Sequence, residues 1–230
     1  MKVLLFGGSG MVGQGVLREC LLDKGVTEVL SVVRSAEAPA QAKLRELVCT
    51  DFFDYTALEA QLTGYDACFF CLGVSSGGLS EAEYKRLSHD LTLTAAQTLA
   101  RLNPQMVFVY VSGMGTDSSE RGRSMWARVK GATENALLRL PFAAAYMFRP
   151  GGIRPLHGIR SKTPAYYWGY VLMGPLVPLL HRFAPGAMTS TEEVGRAMLR
   201  VVRERPARAI LEARDIAALG KGEPLPPARS

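Results

Sequence analysis

Histidine is scarce in this sequence, and dense basic runs are absent. Three histidines among 230 residues are too few to assemble a metal centre, so we predict no metal ligands. The formal net charge is +6, but the basic residues are scattered and are not interleaved with aromatics, so we expect no nucleic-acid partner. The shares of hydrophobic (48%) and charged (21%) residues are those of a globular protein.

Cysteine occurs only four times, without the spacing of a disulfide framework. Cys68 and Cys71 form a C-x-x-C pair, but they fall in an apolar run, 67–72, that is typical of a strand. Residues three apart in a strand point to opposite faces, so we expect buried thiols and not a redox pair or a zinc site. The first strand begins at once, so we expect no signal peptide and a reducing, cytoplasmic location.

Long apolar runs of the roughly 20 residues that a membrane-spanning helix needs are also missing. The uncharged stretch 164–180 is shorter and is broken by Gly169, Gly174, Pro175 and Pro178. We predict that it belongs to a small C-terminal cap, 152–188, over a substrate, and that it does not span a membrane. A homodimer face and a membrane-surface patch are the alternatives.

Glycine, by contrast, is concentrated where an early strand meets a helix. The apolar run Val3 to Phe6 is followed at once by Gly7-Gly-Ser-Gly-Met-Val-Gly13, and a helical apolar period begins at Met11. Glycine permits the tight turn and the close approach of a pyrophosphate, which the helix N-terminus stabilises. We therefore predict a dinucleotide site with contacts from Gly7, Gly8, Ser9, Gly10, Met11, Val12 and Gly13.

Further apolar runs alternate with segments of helical period as far as residue 150. We expect strands at 27–33, 46–50, 67–72, 106–111 and 143–148, a short helix at 55–62, and long helices at 80–102 and 124–140. This alternation predicts an α/β fold, a Rossmann-type doubly wound parallel sheet with ligands at the carboxyl ends of its strands. A helix at 191–203 and a strand at 209–211 complete one domain, 1–221, before a disordered Pro-rich tail, 222–230.

The residues after the second and third strands predict the adenosine end of the site. In this fold an acidic residue after the second strand binds the ribose 2′-hydroxyl of NAD. Arg34 takes that place and is suited to pair with the 2′-phosphate of NADP. Asp51 and Phe52 are placed to contact the adenine. We predict NADP as the cofactor, with NAD as the alternative.

In this order and spacing, the motifs resemble the short-chain dehydrogenase/reductase superfamily. More narrowly, they resemble its atypical, epimerase-like members related to the Tat-interacting oxidoreductase-like protein. The resemblance covers nearly the whole chain. Besides the glycine turn and Arg34, it rests on Cys71-Leu-Gly73, Tyr110-Val-Ser-Gly113, Trp126-Ala-Arg-Val-Lys130-Gly and Phe148-Arg-Pro-Gly151. It implies cofactor contacts from Cys71, Leu72, Gly73, Ser112, Lys130, Pro150 and Gly151.

The resemblance also implies a catalytic serine, tyrosine and lysine, and the tyrosine is missing. Ser112 takes the place of the serine that orients a substrate carbonyl, and Lys130 that of the lysine. Trp126 stands four residues before Lys130, where the proton-transferring tyrosine is expected, and an indole N–H is a donor only. Two functions follow: an NADP(H)-binding oxidoreductase or epimerase-like enzyme acting on a small carbonyl or alcohol, or a non-catalytic NADP(H) sensor or interaction protein.

Overall fold

The computed structural model describes residues 1–36, 41–159 and 188–227. Its strands are β1 (Lys2–Phe6), β2 (Glu28–Val33), β3 (Leu44–Val48), β4 (Ala67–Phe70), β5 (Val107–Val111), β6 (Ala144–Arg149), β7 (Gly152–Arg154), β8 (Met188–Ser190) and β9 (Ile210–Glu212). A parallel seven-stranded sheet has the order β3-β2-β1-β4-β5-β6-β9. The predicted Rossmann-type sheet is confirmed.

Helices connect these strands on both faces of the sheet. They are α1 (Met11–Leu22), α2 (Glu81–Lys85), α3 (Leu91–Leu102), α4 (Met125–Leu138), α5 (Thr191–Glu204) and α6 (Ala213–Lys221), with a 3-10 helix at Thr56–Gln61. One π-helical turn, Arg86–Asp90, joins α2 to α3. The long helix predicted at 80–102 therefore exists but carries an insertion in its first half.

The central strand β1 divides the hydrophobic core into two layers. Val3 and Leu5 pack with the buried faces of α1, α5 and α6, while Leu4 and Phe6 pack with α3 and α4 on the other side. Successive strand residues point to opposite faces, so an unbroken apolar run is the pattern of a strand covered on both sides. Each such side chain stabilises the fold by about 1.5–3 kcal/mol through burial.

The sheet changes its winding direction between β1 and β4. β2 pairs with one edge of β1 and β4 with the other, and ligands bind doubly wound sheets at such a switch point, beyond the carboxyl ends of the strands. The loops that follow β1 and β4 touch there, because a Cβ added to Gly7 would lie only 2.7 Å from the backbone nitrogen of Leu72. The fold thus places the glycine turn at the expected ligand edge.

The structure differs from the sequence expectations at the ends of several elements. The strand predicted at 46–50 lies two residues earlier, because the register with β2 pairs Val29 with Leu44. The helix predicted at 55–62 is a 3-10 helix. α6 was not predicted; it follows β9 directly, and Glu212 and Asp215 form a capping box at its start, which supplies hydrogen bonds to its first turn.

The segment predicted as a cap, 152–188, is described only at its two ends. β7 pairs in parallel with β8, with Gly152 opposite Met188. The two described ends of the segment therefore lie side by side. The apolar stretch 164–180 lies outside the described residues, and the role of a cap stays a prediction.

The tail after Gly222 makes several contacts in its described part. The carbonyl oxygens of Glu223, Pro226 and Pro227 accept hydrogen bonds from arginines on α5, before β9 and on α6, at 2.5–2.9 Å. Leu225 packs against the core layer of α1. Disorder was expected from Gly222 onward; residues 222–227 are instead held by these contacts, and residues 228–230 lie outside the described range.

Candidate cofactor and active site

The turn between β1 and α1 is shaped to accept an anion. Gly7 has a φ of +78°, and a Cβ added to Gly13 would lie 2.0 Å from the Gly7 carbonyl oxygen. Gly10 is the N-cap of α1, and no described side chain caps the helix. Its first backbone N–H groups and the positive end of its dipole are therefore available to a phosphate that approaches the bare backbone.

A cavity of about 650 Å³ lies beside this turn, at the carboxyl ends of the central strands. Its volume is within the range of small-molecule sites, about 300–1,000 Å³. The predicted site residues that line it are Met11, Val12, Cys71, Leu72, Gly73, Ser112, Lys130, Pro150 and Gly151. The structure thus brings together residues from loops that are far apart in the chain.

The other predicted turn residues form the base of the site next to the cavity. These residues are Gly7, Gly8, Ser9, Gly10 and Gly13. The turn is closed by the Gly10 N–H, which donates to the Gly7 carbonyl at 3.0 Å. The side-chain Nε2 of Gln14 donates to the Ser9 carbonyl, also at 3.0 Å. These bonds fix the backbone that a pyrophosphate would contact.

The residues predicted for the adenosine end do not line the cavity. Arg34 is exposed and directly follows β2, at the same edge of the sheet as the glycine turn. Asp51 accepts a hydrogen bond from the backbone of Phe53 at 2.8 Å. The ring of Phe52 packs edge-on against Phe6, with 6.4 Å between centroids, and is thus partly engaged with the core.

Lys130 is buried on α4, at the wall of the cavity. Its Nζ donates to the Tyr110 hydroxyl at 2.9 Å and to the Val111 carbonyl at 3.3 Å. Burial lowers the pKa of Lys130, while electrostatic interactions with Tyr84 and Glu134 oppose this shift. An ammonium group has three donors, so one N–H remains for a group in the cavity.

Ser112 forms a hydrogen bond to a buried ion pair, Glu134–Arg149, behind the cavity. Its Oγ lies 2.5 Å from Glu134 Oε1 and 3.1 Å from the Phe148 carbonyl oxygen. Glu134 is fully buried, and the Arg149 guanidinium donates to both of its carboxylate oxygens. A hydroxyl has one proton to donate, and in this arrangement Ser112 donates it to the Glu134 carboxylate of the ion pair.

Cys71 and Trp126 restrict the chemistry that the cavity walls can perform. Burial raises the pKa of the Cys71 thiol to about 12, so it is protonated at neutral pH and is not a ready nucleophile. Trp126 lines the cavity one helical turn before Lys130 and offers an apolar ring with a single donor. All four cysteines are free, and Cys20, Cys49 and Cys68 are buried.

Sequence reasoning missed Tyr84, which also lines the cavity. In the sequence, Tyr84 begins an apolar stripe of helical period that continues through Leu87, Leu91, Ala95, Leu99 and Leu102, a pattern that is typical of a core-facing helix. The stripe itself gives no sign that its first member meets a ligand cavity, because the π-helical turn at 86–90 is not visible in the spacing.

Within 1–36, 41–159 and 188–227, no group of His, Cys, Asp and Glu side chains is arranged to hold a metal ion. In the same ranges, none of the helices has both the length and the apolar character needed to cross a bilayer.

Comparison with known proteins identifies the family. A family model described as NAD(P)H-binding matches residues 7–141, from the glycine turn to the end of α4. The chain belongs to the NAD(P)H-binding family. Membership in this NAD(P)H-binding family confirms the predicted class of cofactor.

The proteins to which this chain is similar confirm the predicted resemblance. The chain is 32% identical over 204 residues to protein fmp52 of Emericella nidulans, covering 85% of this chain and 84% of the relative. It is 28% identical over 153 residues to protein HTATIP2 of Rattus norvegicus, covering 65% and 62%. The solved structure of the Bordetella bronchiseptica enzyme WbmF in complex with NAD+ shares the fold, with a TM-score of 0.64, 20% identity, and coverage of 96% of this chain and 76% of that one.

The prediction of a cytoplasmic location is wrong on this comparison. The fmp52 relatives from Emericella nidulans, Eremothecium gossypii and Kluyveromyces lactis are all named as mitochondrial proteins. Free thiols indicate reducing surroundings, but they do not identify which reducing compartment holds the protein.

Proposed function

We propose that this protein is an NADP(H)-dependent oxidoreductase acting on a small carbonyl or alcohol. The cavity carries the proposal, because it joins the glycine turn to Lys130 and to the loops after β4, β5 and β6. When bound, NADP(H) supplies or accepts the hydride. The α1 N-terminus would hold its pyrophosphate, and the free N–H of Lys130 would hold its ribose beside the loops at Gly73 and Pro150.

The preference for NADP rests on Arg34. Its guanidinium is exposed immediately after β2, where an acidic side chain would favour NAD. A charge-assisted hydrogen bond contributes about 1.5–3 kcal/mol, which corresponds to about tenfold or more in Kd. A real contact with the 2′-phosphate should therefore be measurable as a difference between the two cofactors.

Calorimetric titration with NADPH and NADH tests this proposal. We expect the wild type to bind NADPH about tenfold or more tightly than NADH, and Arg34→Ala to lose the difference. Arg139→Ala is the matched control, because Arg139 is an exposed arginine at the C-terminal end of α4, away from the ligand edge. Equal affinities in the wild type would reject the NADP preference, and no binding of either cofactor would reject the function.

A non-catalytic NADP(H) sensor is the second candidate, and Trp126 is the observation that favours it. The indole occupies the cavity wall where the family resemblance places a proton-transferring tyrosine. Turnover with generic aldehydes, ketones and alcohols, followed by nicotinamide absorbance, separates the two candidates. Saturable binding of NADPH without turnover would favour the sensor.

The proposal includes no nucleic-acid partner, since many described arginines already pair with carboxylates. Examples are Arg101–Glu59, Arg128–Glu81, Arg196–Glu192 and Arg203–Asp23. The stretch 164–180 is proposed as a substrate cap, with a homodimer face as the alternative. Sedimentation of the full chain distinguishes these two, because only a dimer face changes the molecular mass.

A further inference from the structure

Tyr84 is the one phenol among the described residues that line the cavity. Its side chain is buried, with 3% of its surface exposed, and it interacts electrostatically with the Lys130 ammonium. A phenol titrates near 10 in the absence of perturbation and exchanges protons, whereas an indole does not. The cavity therefore contains a phenol and a lysine, although the phenol does not come from α4.

Two sets of contacts hold Tyr84 at this place. Arg128, between Trp126 and Lys130 on α4, pairs at 2.7 Å with Glu81, which lies one helical turn before Tyr84. Ser80 and Glu83 form a capping box at the start of α2. The short helix is thus fixed both to α4 and at its own N-terminus.

The π-helical turn follows Tyr84 almost directly. It spans Arg86–Asp90, and such one-turn insertions are frequent at functional sites. An inserted residue rotates the preceding helix relative to the following one, because five residues replace four between successive hydrogen bonds. α3 therefore keeps Leu99 in the core, while Tyr84 lines the cavity.

The other candidate groups are engaged elsewhere. The Ser112 hydroxyl lies 2.5 Å from the Glu134 carboxylate. The Tyr110 hydroxyl accepts from Lys130 and is fully buried within β5, outside the described lining of the cavity. Trp126 has no proton that it can usefully exchange.

We propose that Tyr84 is the catalytic proton donor and acceptor, in the role that Trp126 leaves vacant; this rests on the proposed oxidoreductase function. In reduction, the carbonyl carbon accepts the hydride of NADPH and the carbonyl π pair becomes a lone pair on oxygen. Tyr84 donates its phenolic proton to that oxygen. The electron pair of the broken O–H bond stays on Tyr84, which becomes a phenolate beside Lys130, and water then returns a proton to it. Alcohol and NADP+ are the products, and oxidation follows the reverse course.

Tyr84→Phe tests this role, with Tyr65→Phe as the matched control. Tyr65 is also buried, but its hydroxyl donates to Glu28 at 2.9 Å, far from the cavity. We expect Tyr84→Phe to lower kcat by about 10²–10⁴-fold, the usual contribution of a positioned acid or base, while the Kd for NADPH stays within about threefold. Tyr65→Phe should leave kcat unchanged.

A second test uses nitration of tyrosines by tetranitromethane in the wild type, measured by peptide mass spectrometry. It requires neither turnover nor a variant. NADPH at about 100 times its Kd should slow nitration of Tyr84 about tenfold or more, and leave that of Tyr65 unchanged. Wild-type kcat in Tyr84→Phe, or absent protection, would overturn the assignment of Tyr84. Wild-type protein that binds NADPH without turnover would refute the proposed oxidoreductase and favour the sensor. Failure of the wild type to bind NADPH would instead refute the proposed function.

Discussion

Ser112 donates its hydroxyl to Glu134 across 2.5 Å and thereby ties the end of β5 to a fully buried carboxylate on α4. Arg149, at the end of β6, balances that charge and also pairs with Glu212 at 3.2 Å. The loops after β5 and β6 line the cavity. The ion pair therefore sets the position of two cavity walls.

Glu134→Gln should destabilise the protein by about 3–5 kcal/mol, because it removes the buried counter-charge of Arg149 and leaves only the exposed Glu212 carboxylate. Ser112→Ala should cost about 1.5–3 kcal/mol, the range for a hydrogen bond to a charged group, while Arg149 Nε still donates to Glu134 Oε1 at 3.1 Å. Urea unfolding measures both. Glu204→Gln is the control, since Glu204 forms an exposed pair with Arg200 and such pairs contribute about 0.3–0.5 kcal/mol. An equal, small effect for Glu134→Gln would contradict the structural role.

Gly13→Ala should disrupt the cofactor turn. The added Cβ would lie 2.0 Å from the Gly7 carbonyl oxygen, and a backbone atom has little freedom to move away. We expect a loss of about 1–3 kcal/mol or more in unfolding free energy and a weaker affinity for NADPH. Gly152→Ala is the control, because its Cβ would meet only the Met188 side chain at 3.4 Å. Unchanged NADPH affinity in Gly13→Ala would show that the turn does not bind the cofactor.

Trp126→Phe should change kcat by less than about threefold, because the indole transfers no proton in this account and its ring is replaced by another apolar ring. Steady-state kinetics on the substrate used for Tyr84→Phe measures this. A loss as large as that expected for Tyr84→Phe would mean that the indole N–H takes part in the reaction.

Asp23 should make stability sensitive to acid. Burial opposes its ionisation, but hydrogen bonds from Arg203 at 2.5 Å and from the Gly25 N–H at 2.7 Å outweigh this and lower the pKa of Asp23. A folded pKa below the unfolded value of about 3.9 stabilises the fold above that pH, and the stabilisation is lost as pH falls through the folded pKa.

Asp23→Asn should therefore be less stable than the wild type at about pH 7, and the difference should shrink below about pH 4. Thermal unfolding from neutral to acidic pH measures it. A difference that is the same at every pH would show that the charge of Asp23 contributes nothing to the link between α1 and α5.

The sequence predicted the alternation of strands and helices and the glycine turn because both depend on local patterns. An apolar run that ends in Gly7, and the repeated alternation of strand and helix, are readable without tertiary information. α6 escaped prediction because it follows a strand of only three residues without a turn.

The polar network and the position of Tyr84 depend on contacts between distant elements. Glu134 and Arg149 meet only once α4 packs beside β6, and nothing in their spacing marks them as partners. Tyr84 belongs to an apolar stripe in the sequence, and the π-helical turn that follows it changes which surface that stripe meets. The prediction of a cytoplasmic compartment was wrong because the cysteine content of a sequence indicates redox conditions and not location.

A crystal structure of the protein with NADPH bound tests the central claim most directly. We predict the pyrophosphate within hydrogen-bond distance of the backbone N–H groups of Met11 and Val12, the 2′-phosphate at Arg34, and the nicotinamide in the cavity with C4 facing the Tyr84 hydroxyl. NADPH bound away from the glycine turn, or a nicotinamide C4 that faces no protonatable group of this chain, would contradict the account.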